Sequence, residues 1–250
     1  MSGYQPVASD SLSIFRSLTA SNTNSFADDW KSGGRPVIGY FCHYMSRELI
    51  LAAGALPLRL RGAGSEDSST GDAYMSGRVC TYVRHVANLV LEEQYDFLDG
   101  AICLNTCDHV RRAADVFTKK SSIPFHGFVS VPRNPRESLF GYYRAELENL
   151  RLGMQDHFGV RIGEDELRAA ISSSNAVRER LGKINRLRLE DKPKISGADS
   201  LAVHIASQAL PPDVFVSMAD ELISELEDSP GIDAPAGRLV LIGAELDNPH

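Results

Sequence analysis

The alternation of short apolar runs with amphipathic segments between residues 35 and 135 is the feature that most constrains the fold of this chain. The apolar runs cover 37–41, 56–60, 100–104 and 124–131, and each has the length of a buried strand. Strands that alternate with helices form parallel sheets whose two faces are covered by those helices. The sequence therefore predicts an α/β fold, with a parallel-sheet domain over residues 35–135.

The segments that connect the predicted strands are helical or loop-like according to their residue pattern. Helices are predicted at 47–54, 79–93 and 108–117. The second helix carries Val79, Val83, Val86 and Val90 at helical spacing, so one of its faces is expected to pack on the sheet. Residues 62–77 are rich in Gly, Ser and Asp, and this composition predicts a long surface loop.

Three further segments complete the predicted organisation. Residues 1–34 are predicted to form a partly helical, poorly packed lead-in, and residues 136–232 a helical segment. The helices of that segment are predicted at 136–158, 164–189, 200–210 and 211–227. Residues 233–250 are predicted to begin an incomplete second α/β domain, because the run 238–243 is apolar like a strand buried on both faces. The residues after it are too few for a crossover helix.

The charge balance and the hydropathy pattern exclude two classes of partner. The chain has 26 Lys and Arg against 33 Asp and Glu, a net charge of −7, so no nucleic-acid partner is expected. Its N-terminus has neither the basic nor the apolar region of a secretory signal. The longest apolar run, 49–56, is too short to cross a bilayer. We therefore expect a soluble, cytoplasmic protein without a membrane partner.

The four cysteines are the main candidates for chemistry. In a reducing compartment, thiols are buried, reactive or metal-bound, and disulfides are rare. Cys42 follows the first predicted strand, Cys80 begins a helix, and Cys107 begins the helix after the third strand, so the three can converge at the carboxyl edge of the sheet. Cys103 lies inside the third strand and is interpreted as a buried apolar thiol. Four core cysteines, or a zinc site, remain alternatives at this point.

Three cysteine blocks and a later basic block follow one another between residues 36 and 135. They are Tyr40-Phe-Cys42-His-Tyr-Met-Ser-Arg-Glu48, Cys80-Thr-Tyr-Val-Arg84, Asn105-Thr-Cys107-Asp-His-Val-Arg-Arg112 and Val131-Pro-Arg133. Together they resemble the subunit family of 2-hydroxyacyl-CoA dehydratases and benzoyl-CoA reductases, which includes the D-component of 2-hydroxyglutaryl-CoA dehydratase. The run at 239–249 resembles the first strand of the family's next α/β domain. Ser46 stands where the family usually has proline.

The resemblance implies a cofactor and a reaction class. It implies a [4Fe–4S] cluster bound by Cys42, Cys80 and Cys107, with one iron left without a protein thiolate. The implied substrate is an acyl-CoA or an aromatic acyl-CoA. In the dehydratases, an electron from the cluster forms a ketyl radical anion that expels a hydroxyl group, whereas in the reductases the electrons enter an aromatic ring.

The resemblance also implies partners. These are a second homologous subunit, in a homodimer or heterodimer, and an ATP-dependent iron–sulfur activator that supplies the electron. The sequence has no G-x-x-x-x-G-K-[ST] loop, so ATP is expected on the activator and not on this chain. The alternative function is a truncated cluster-binding paralogue that transfers electrons or regulates, without a substrate pocket of its own.

Several polar residues beside the cysteines are candidates to surround the cluster. They are His43, Arg84, Asp108 and His109. Each also has a structural interpretation: packing for His43, a salt bridge for Arg84, and capping of the helix for Asp108 and His109. Arg111 and Arg112 are interpreted as surface charges. The sequence identifies no catalytic residue beyond the cluster ligands.

Overall fold

The sheet of this protein has four strands, all parallel. The computed structural model describes residues 9–22, 24–134, 136–233, 235, 237–240 and 242–243. The strands are β1 (Val37–Tyr40), β2 (Leu56–Arg59), β3 (Gly100–Leu104) and β4 (Phe125–Val129), arranged in the order β2-β1-β3-β4. Strands β1, β2 and β3 are buried along their whole length, as expected of apolar strands covered on both faces. The predicted α/β fold is confirmed.

Helices, joined by turns and loops, account for most of the described chain outside the sheet. They are α1 (Asp10–Ser17), α2 (Ser25–Ser32), α3 (Arg47–Ala52), α4 (Ser69–Asp72), α5 (Thr81–Leu91), α6 (Asp108–Lys120), α7 (Phe140–Phe158), α8 (Glu164–Leu189), α9 (Gly197–Ala206) and α10 (Pro212–Asp228), with a 3₁₀ turn at Glu137–Leu139. Among the described residues, none of these helices combines the length and apolar character needed to span a bilayer.

The strand order places a crevice at one edge of the sheet. The chain passes from β1 to β2 on one side and then returns to β3 on the other side of β1. With right-handed crossovers, the connections after β1 and after β3 leave toward opposite faces of the sheet. Ligands in open α/β sheets bind at this point, beyond the carboxyl ends of the strands. The fold therefore directs attention to the residues that follow β1 and β3.

Aromatic packing fixes the helices nearest that crevice. The Phe41 ring, just beyond β1, lies 5.3 Å from the Phe117 ring of α6 and 6.1 Å from the Tyr82 ring of α5. Helices α5 and α6 also pack against each other. Phe41 and Phe117 are fully buried. Burial of each such ring contributes about 1.5–3 kcal/mol to the stability of this region.

The chain divides into two compact units. One is the continuous segment 25–171, which holds the sheet. The other joins the residues up to 24 with those from 172 onward, and in it α1 packs against α9 and α10. The prediction of a poorly packed lead-in is wrong for α1, because Leu12 and Phe15 are fully buried. Their partners lie far along the chain, where local sequence gives no sign of them.

The apolar run 238–243 differs from its prediction. Its described residues, 238–240 and 242–243, are not in a strand, and Leu239, Val240 and Ile242 are 85–89% exposed. A parallel strand requires a neighbour for its backbone groups, and no strand pairs with these described residues. The predicted strand is therefore not formed in the described part of this run. Residue 241 and residues 244–250, where the predicted second domain would begin, lie outside the described residues.

Candidate functional site

Cys42 lies at the carboxyl end of β1, on the crevice side of the sheet. Its side chain is buried, and its Sγ lies 3.1 Å from Oγ1 of Thr106, a residue of the β3–α6 connection. The Cys42 carbonyl accepts a hydrogen bond of 3.0 Å from the Met45 N–H, which turns the chain toward α3. The first cysteine is therefore held between the strand it follows and the connection that leaves the neighbouring strand β3.

Cys107 begins helix α6 as its N-cap residue. Its Sγ accepts a hydrogen bond of 3.4 Å from the Val110 N–H, the role that a serine or aspartate oxygen usually has at this position. The first turn of a helix presents N–H groups without intrahelical partners and the positive end of the helix dipole. The Cys107 sulfur therefore lies where a helix N-terminus offers N–H donors to a metal-bound thiolate.

Cys80 occupies the N-cap position of helix α5, but its sulfur makes no capping hydrogen bond. Instead, the Cys80 backbone N–H donates a hydrogen bond of 3.2 Å to Nδ1 of His109, in the first turn of α6. Because Nδ1 accepts this bond, the neutral imidazole carries its proton on Nε2. His109 therefore ties the second cysteine block to the third.

These two contacts bring the three cysteine segments to one edge of the sheet. Thr106, which contacts Cys42, directly precedes Cys107, and His109, which contacts Cys80, follows Cys107 by two residues. In the described part of the chain, no three or more His, Cys, Asp or Glu side chains form a group that surrounds a metal ion. A four-iron cluster binds each thiolate through a different iron, so its ligands lie farther apart than the ligands of one ion. The three cysteine segments that meet at this sheet edge supply the soft thiol donors that such a cluster takes.

Cys103 differs from the other three cysteines in its environment. It lies inside β3 and is buried. Burial raises the pKa of the Cys103 thiol far above its ordinary value, and the nearby Cys42 raises that pKa further. The thiol is therefore neutral at physiological pH. A neutral, buried thiol agrees with its interpretation as an apolar core residue.

The polar candidates beside the cysteines lie in different environments. His43 is exposed, and the Asp108 carboxylate is exposed and lies 3.5 Å from the Arg111 guanidinium. The Arg84 guanidinium forms a salt bridge of 2.8 Å with Asp72, as its structural interpretation predicts. Of these candidates, His109 contacts a cysteine block through the hydrogen bond described above.

Arg111 and Arg112 lie on the outer side of α6. Arg111 is paired with Asp108, and Arg112 lies 3.2 Å from Asp115. The side chains of both arginines are more than half exposed. Exposed ion pairs of this kind contribute at most about 1 kcal/mol. Both residues are surface charges, as the sequence indicates.

Asn105 and Thr106 lie at the site but are not among the site residues predicted from the sequence. The Asn105 N–H donates to the Val129 carbonyl at 3.2 Å, and its side-chain Oδ1 accepts from the Val131 N–H at 2.7 Å. These bonds fasten the β3–α6 connection to the end of β4 and so position Thr106 beside Cys42. Their location between a strand end and a candidate ligand, Cys107, was the available signal in the sequence.

Arg59 is a third residue near the site that was not predicted from the sequence. It ends β2, is buried, and donates a hydrogen bond of 3.4 Å from Nε to the Phe41 carbonyl, next to Cys42. A guanidinium stays charged at any physiological pH, so a positive charge lies beside the first cysteine. Burial raises the pKa of Tyr40, and the nearby positive charges of Arg47 and Arg59 offset part of that increase. From sequence alone, an arginine at the end of a short apolar strand is most simply interpreted as a solvent-exposed residue.

Comparison with known proteins identifies relatives of this chain. The family model for the D-component of 2-hydroxyglutaryl-CoA dehydratase matches residues 42–250. One of the subunits of benzoyl-CoA reductase from Thauera aromatica is 33% identical over 74% of this chain and 49% of its own length. The beta subunit of lactoyl-CoA dehydratase from Anaerotignum propionicum is 24% identical over 91% of this chain and 61% of its own length.

A further relative is also named as a dehydratase subunit. The beta subunit of (R)-2-hydroxyglutaryl-CoA dehydratase from Acidaminococcus fermentans is 24% identical over 92% of this chain and 61% of its own length. The chain thus spans about half to three fifths of the length of these curated relatives. The family model covers most of the chain and begins at Cys42, the first cysteine of the site. This chain belongs to the 2-hydroxyglutaryl-CoA dehydratase D-component family.

Proposed function

We propose that this chain is the cluster-carrying part of an enzyme subunit that reduces a CoA thioester, with Cys42, Cys80 and Cys107 as ligands of a [4Fe–4S] cluster. The observation that supports it is the pair of contacts that join the three cysteine segments. One is Cys42 Sγ to Thr106 Oγ1 at 3.1 Å, and the other is the Cys80 N–H to His109 Nδ1 at 3.2 Å.

The residues around these thiols suit an anionic cluster. Soft thiolates select iron–sulfur clusters, and three ligands for four irons leave one iron open to substrate or a small ligand. Cys80 and Cys107 each begin a helix, where the helix dipole favours negative charge. The buried Arg59 guanidinium adds a positive charge near Cys42. When bound, the cluster supplies one electron at low potential to the thioester.

The relatives suggest the substrate class and the partners. Their names place them in benzoyl-CoA reductase and in dehydratases of lactoyl-CoA and 2-hydroxyglutaryl-CoA, each as one subunit. For this chain we propose an acyl-CoA or aromatic acyl-CoA substrate and a second homologous subunit. Because the electron must be delivered at low potential and the sequence lacks a P-loop, the proposal includes a separate ATP-dependent iron–sulfur activator.

Metal analysis tests the ligand assignment. Protein purified without oxygen is expected to contain about four irons and four sulfides per chain. The single substitutions Cys42→Ser, Cys80→Ser and Cys107→Ser are expected to abolish the cluster absorption. Cys103→Ser is the matched control and is expected to keep it, because that thiol is neutral and buried. Equal loss of iron from Cys103→Ser would contradict the assignment.

Turnover tests the reaction. The chain is combined with its homologous subunit and activator, ATP and candidate CoA thioesters, and the products are separated by mass. Loss of water from a 2-hydroxyacyl-CoA identifies a dehydratase, and gain of two hydrogens by an aromatic acyl-CoA identifies a ring reductase. A cluster that is reduced by the activator without any turnover would favour the electron-transferring or regulatory alternative.

A further inference from the structure

We propose that Thr106 is a positioning residue for the cluster, whose hydroxyl donates a hydrogen bond to the Cys42 sulfur and raises the reduction potential of the site. This inference rests on the function proposed above and assigns a role to a residue that is not itself a ligand. It starts from the distance of 3.1 Å between Thr106 Oγ1 and Cys42 Sγ.

The direction of this hydrogen bond follows from the chemistry of the two groups. A neutral thiol and a hydroxyl can each donate, so in the metal-free protein either atom is a possible donor. A thiolate bound to iron has no proton, and only the Thr106 hydroxyl then donates. Cys42 is buried, so water competes little for its sulfur. Binding of the cluster therefore fixes the hydroxyl as a donor to the ligand.

The surrounding connection holds this hydroxyl in place. Asn105 is bound on one side of Thr106 by two hydrogen bonds to the end of β4, at 3.2 and 2.7 Å. Cys107 is bound on the other side, where its sulfur caps α6. A β-branched side chain also has few χ1 rotamers. The backbone on both sides of Thr106 is thus fixed before the cluster arrives.

A donor at a ligand sulfur affects the two oxidation states differently. The reduced cluster carries one more negative charge, so the hydrogen bond stabilises the reduced state more than the oxidised state. Hydrogen bonds to the sulfurs are one of the means by which proteins set the potential of such clusters. Partners of metal ligands also affect how firmly the metal is held. Thr106 therefore influences both the reduction potential and the retention of iron.

Three variants of the full chain isolate the hydroxyl. Thr106→Val removes it while keeping the shape of the side chain, and Thr106→Ser keeps it. Thr118→Val is the matched control, because Thr118 is exposed on α6 and bonds to the Ala114 carbonyl of its own helix. Each protein is purified without oxygen. The cluster's midpoint potential is measured by redox titration with EPR detection, and iron loss to a chelator is timed.

Thr106→Val is expected to shift the midpoint potential to a more negative value and to lose iron about 10-fold faster than the parent chain. Thr106→Ser and Thr118→Val are expected to match the parent chain in both measurements. An unchanged potential in Thr106→Val, or an equal shift in Thr106→Ser, would overturn the role of Thr106 and leave the cluster proposal standing. A parent chain that assembles no cluster would overturn both.

Discussion

Tyrosine hydroxyls satisfy the backbone at the point where the chain leaves β2. The Tyr95 hydroxyl donates to the Arg61 carbonyl at 2.7 Å and accepts from the Arg61 N–H at 2.9 Å. The Tyr82 hydroxyl donates to the Leu60 carbonyl at 2.6 Å. The Leu60 N–H still donates to the Tyr40 carbonyl of β1 at 2.8 Å, and the backbone groups that follow it are bound by these tyrosine hydroxyls. Buried backbone groups that lose such partners are costly.

Tyr95→Phe is expected to lower the free energy of unfolding by about 1–3 kcal/mol, because it removes two hydrogen bonds to the buried backbone of Arg61. The measurement is the urea midpoint of unfolding followed by circular dichroism. The exposed Tyr142 provides the control, and Tyr142→Phe is expected to change stability by less than about 0.5 kcal/mol. Similar midpoints for the two variants would contradict the role given to the Tyr95 hydroxyl.

Individual residues were predictable from sequence only where their type and position carried the signal. Cys42 and Cys107 could be located because each follows an apolar run that reads as a strand. Thr106 and Arg59 could not, because their importance depends on the neighbours that the sheet supplies. The Thr106 hydroxyl contacts a residue 64 positions away, and the Arg59 side chain contacts the carbonyl of Phe41, which follows the neighbouring strand β1.

At the scale of elements, a close approach of two helices depends on one glycine. Gly71 of α4 is buried, and its N–H donates to Asn88 Oδ1 of α5 at 3.1 Å. A Cβ at this position would lie 2.6 Å from the Arg84 backbone carbonyl and 3.2 Å from the Asn88 backbone nitrogen. Backbone atoms cannot rotate away, so a larger residue would force the two helices apart.

Gly71→Ala is therefore expected to destabilise the protein by about 1–3 kcal/mol. Gly141→Ala is the same substitution in α7, where no atom lies within 4 Å of the added carbon, and it is expected to stabilise by up to about 1 kcal/mol. Thermal unfolding of both variants measures the difference. A Gly71→Ala protein as stable as the parent would show that α4 does not need to approach α5 so closely.

The four strands could be predicted within a few residues because each is mainly apolar, although Arg59 interrupts β2 and His126 interrupts β4. Helix α8 also begins and ends where the sequence predicts. The short helix α4 could not be predicted, since the Gly- and Ser-rich segment around it has the composition of a loop and becomes helical where it packs on α5. The run 238–243 shows the opposite case. Its apolar pattern favours a strand, but a strand also requires a neighbour.

At the scale of the whole molecule, one compact unit contains both early and late segments of the chain. Phe15 of α1 is fully buried, and its ring lies 5.7 Å from the ring of Phe215 in α10. Arg16 donates to Asp199 of α9 at 2.6 Å, across 183 positions of sequence. Helix α1 is only eight residues long, and helices of this length are not stable alone in water. Its stability depends on these distant helices.

Phe15→Ala is expected to lower the free energy of unfolding by about 3–5 kcal/mol, because it leaves a cavity between α1 and α10. Ile14→Ala is the control on the same helix, since Ile14 is 37% exposed, and it is expected to cost much less. Urea midpoints compare the two variants. Equal losses of unfolding free energy in the two variants would mean that burial of the Phe15 ring is not what stabilises α1.

The distance along the chain between α1 and its partners has a consequence for synthesis on the ribosome. Translation adds about 5–20 residues per second, so α9 emerges on the order of 10–40 seconds after α1. During that interval the continuous segment 25–171 has all its strands and can fold. Leu12 and Phe15 meanwhile remain uncovered. The nascent chain thus exposes an apolar segment of the kind that chaperones bind, until α9 and α10 leave the exit tunnel.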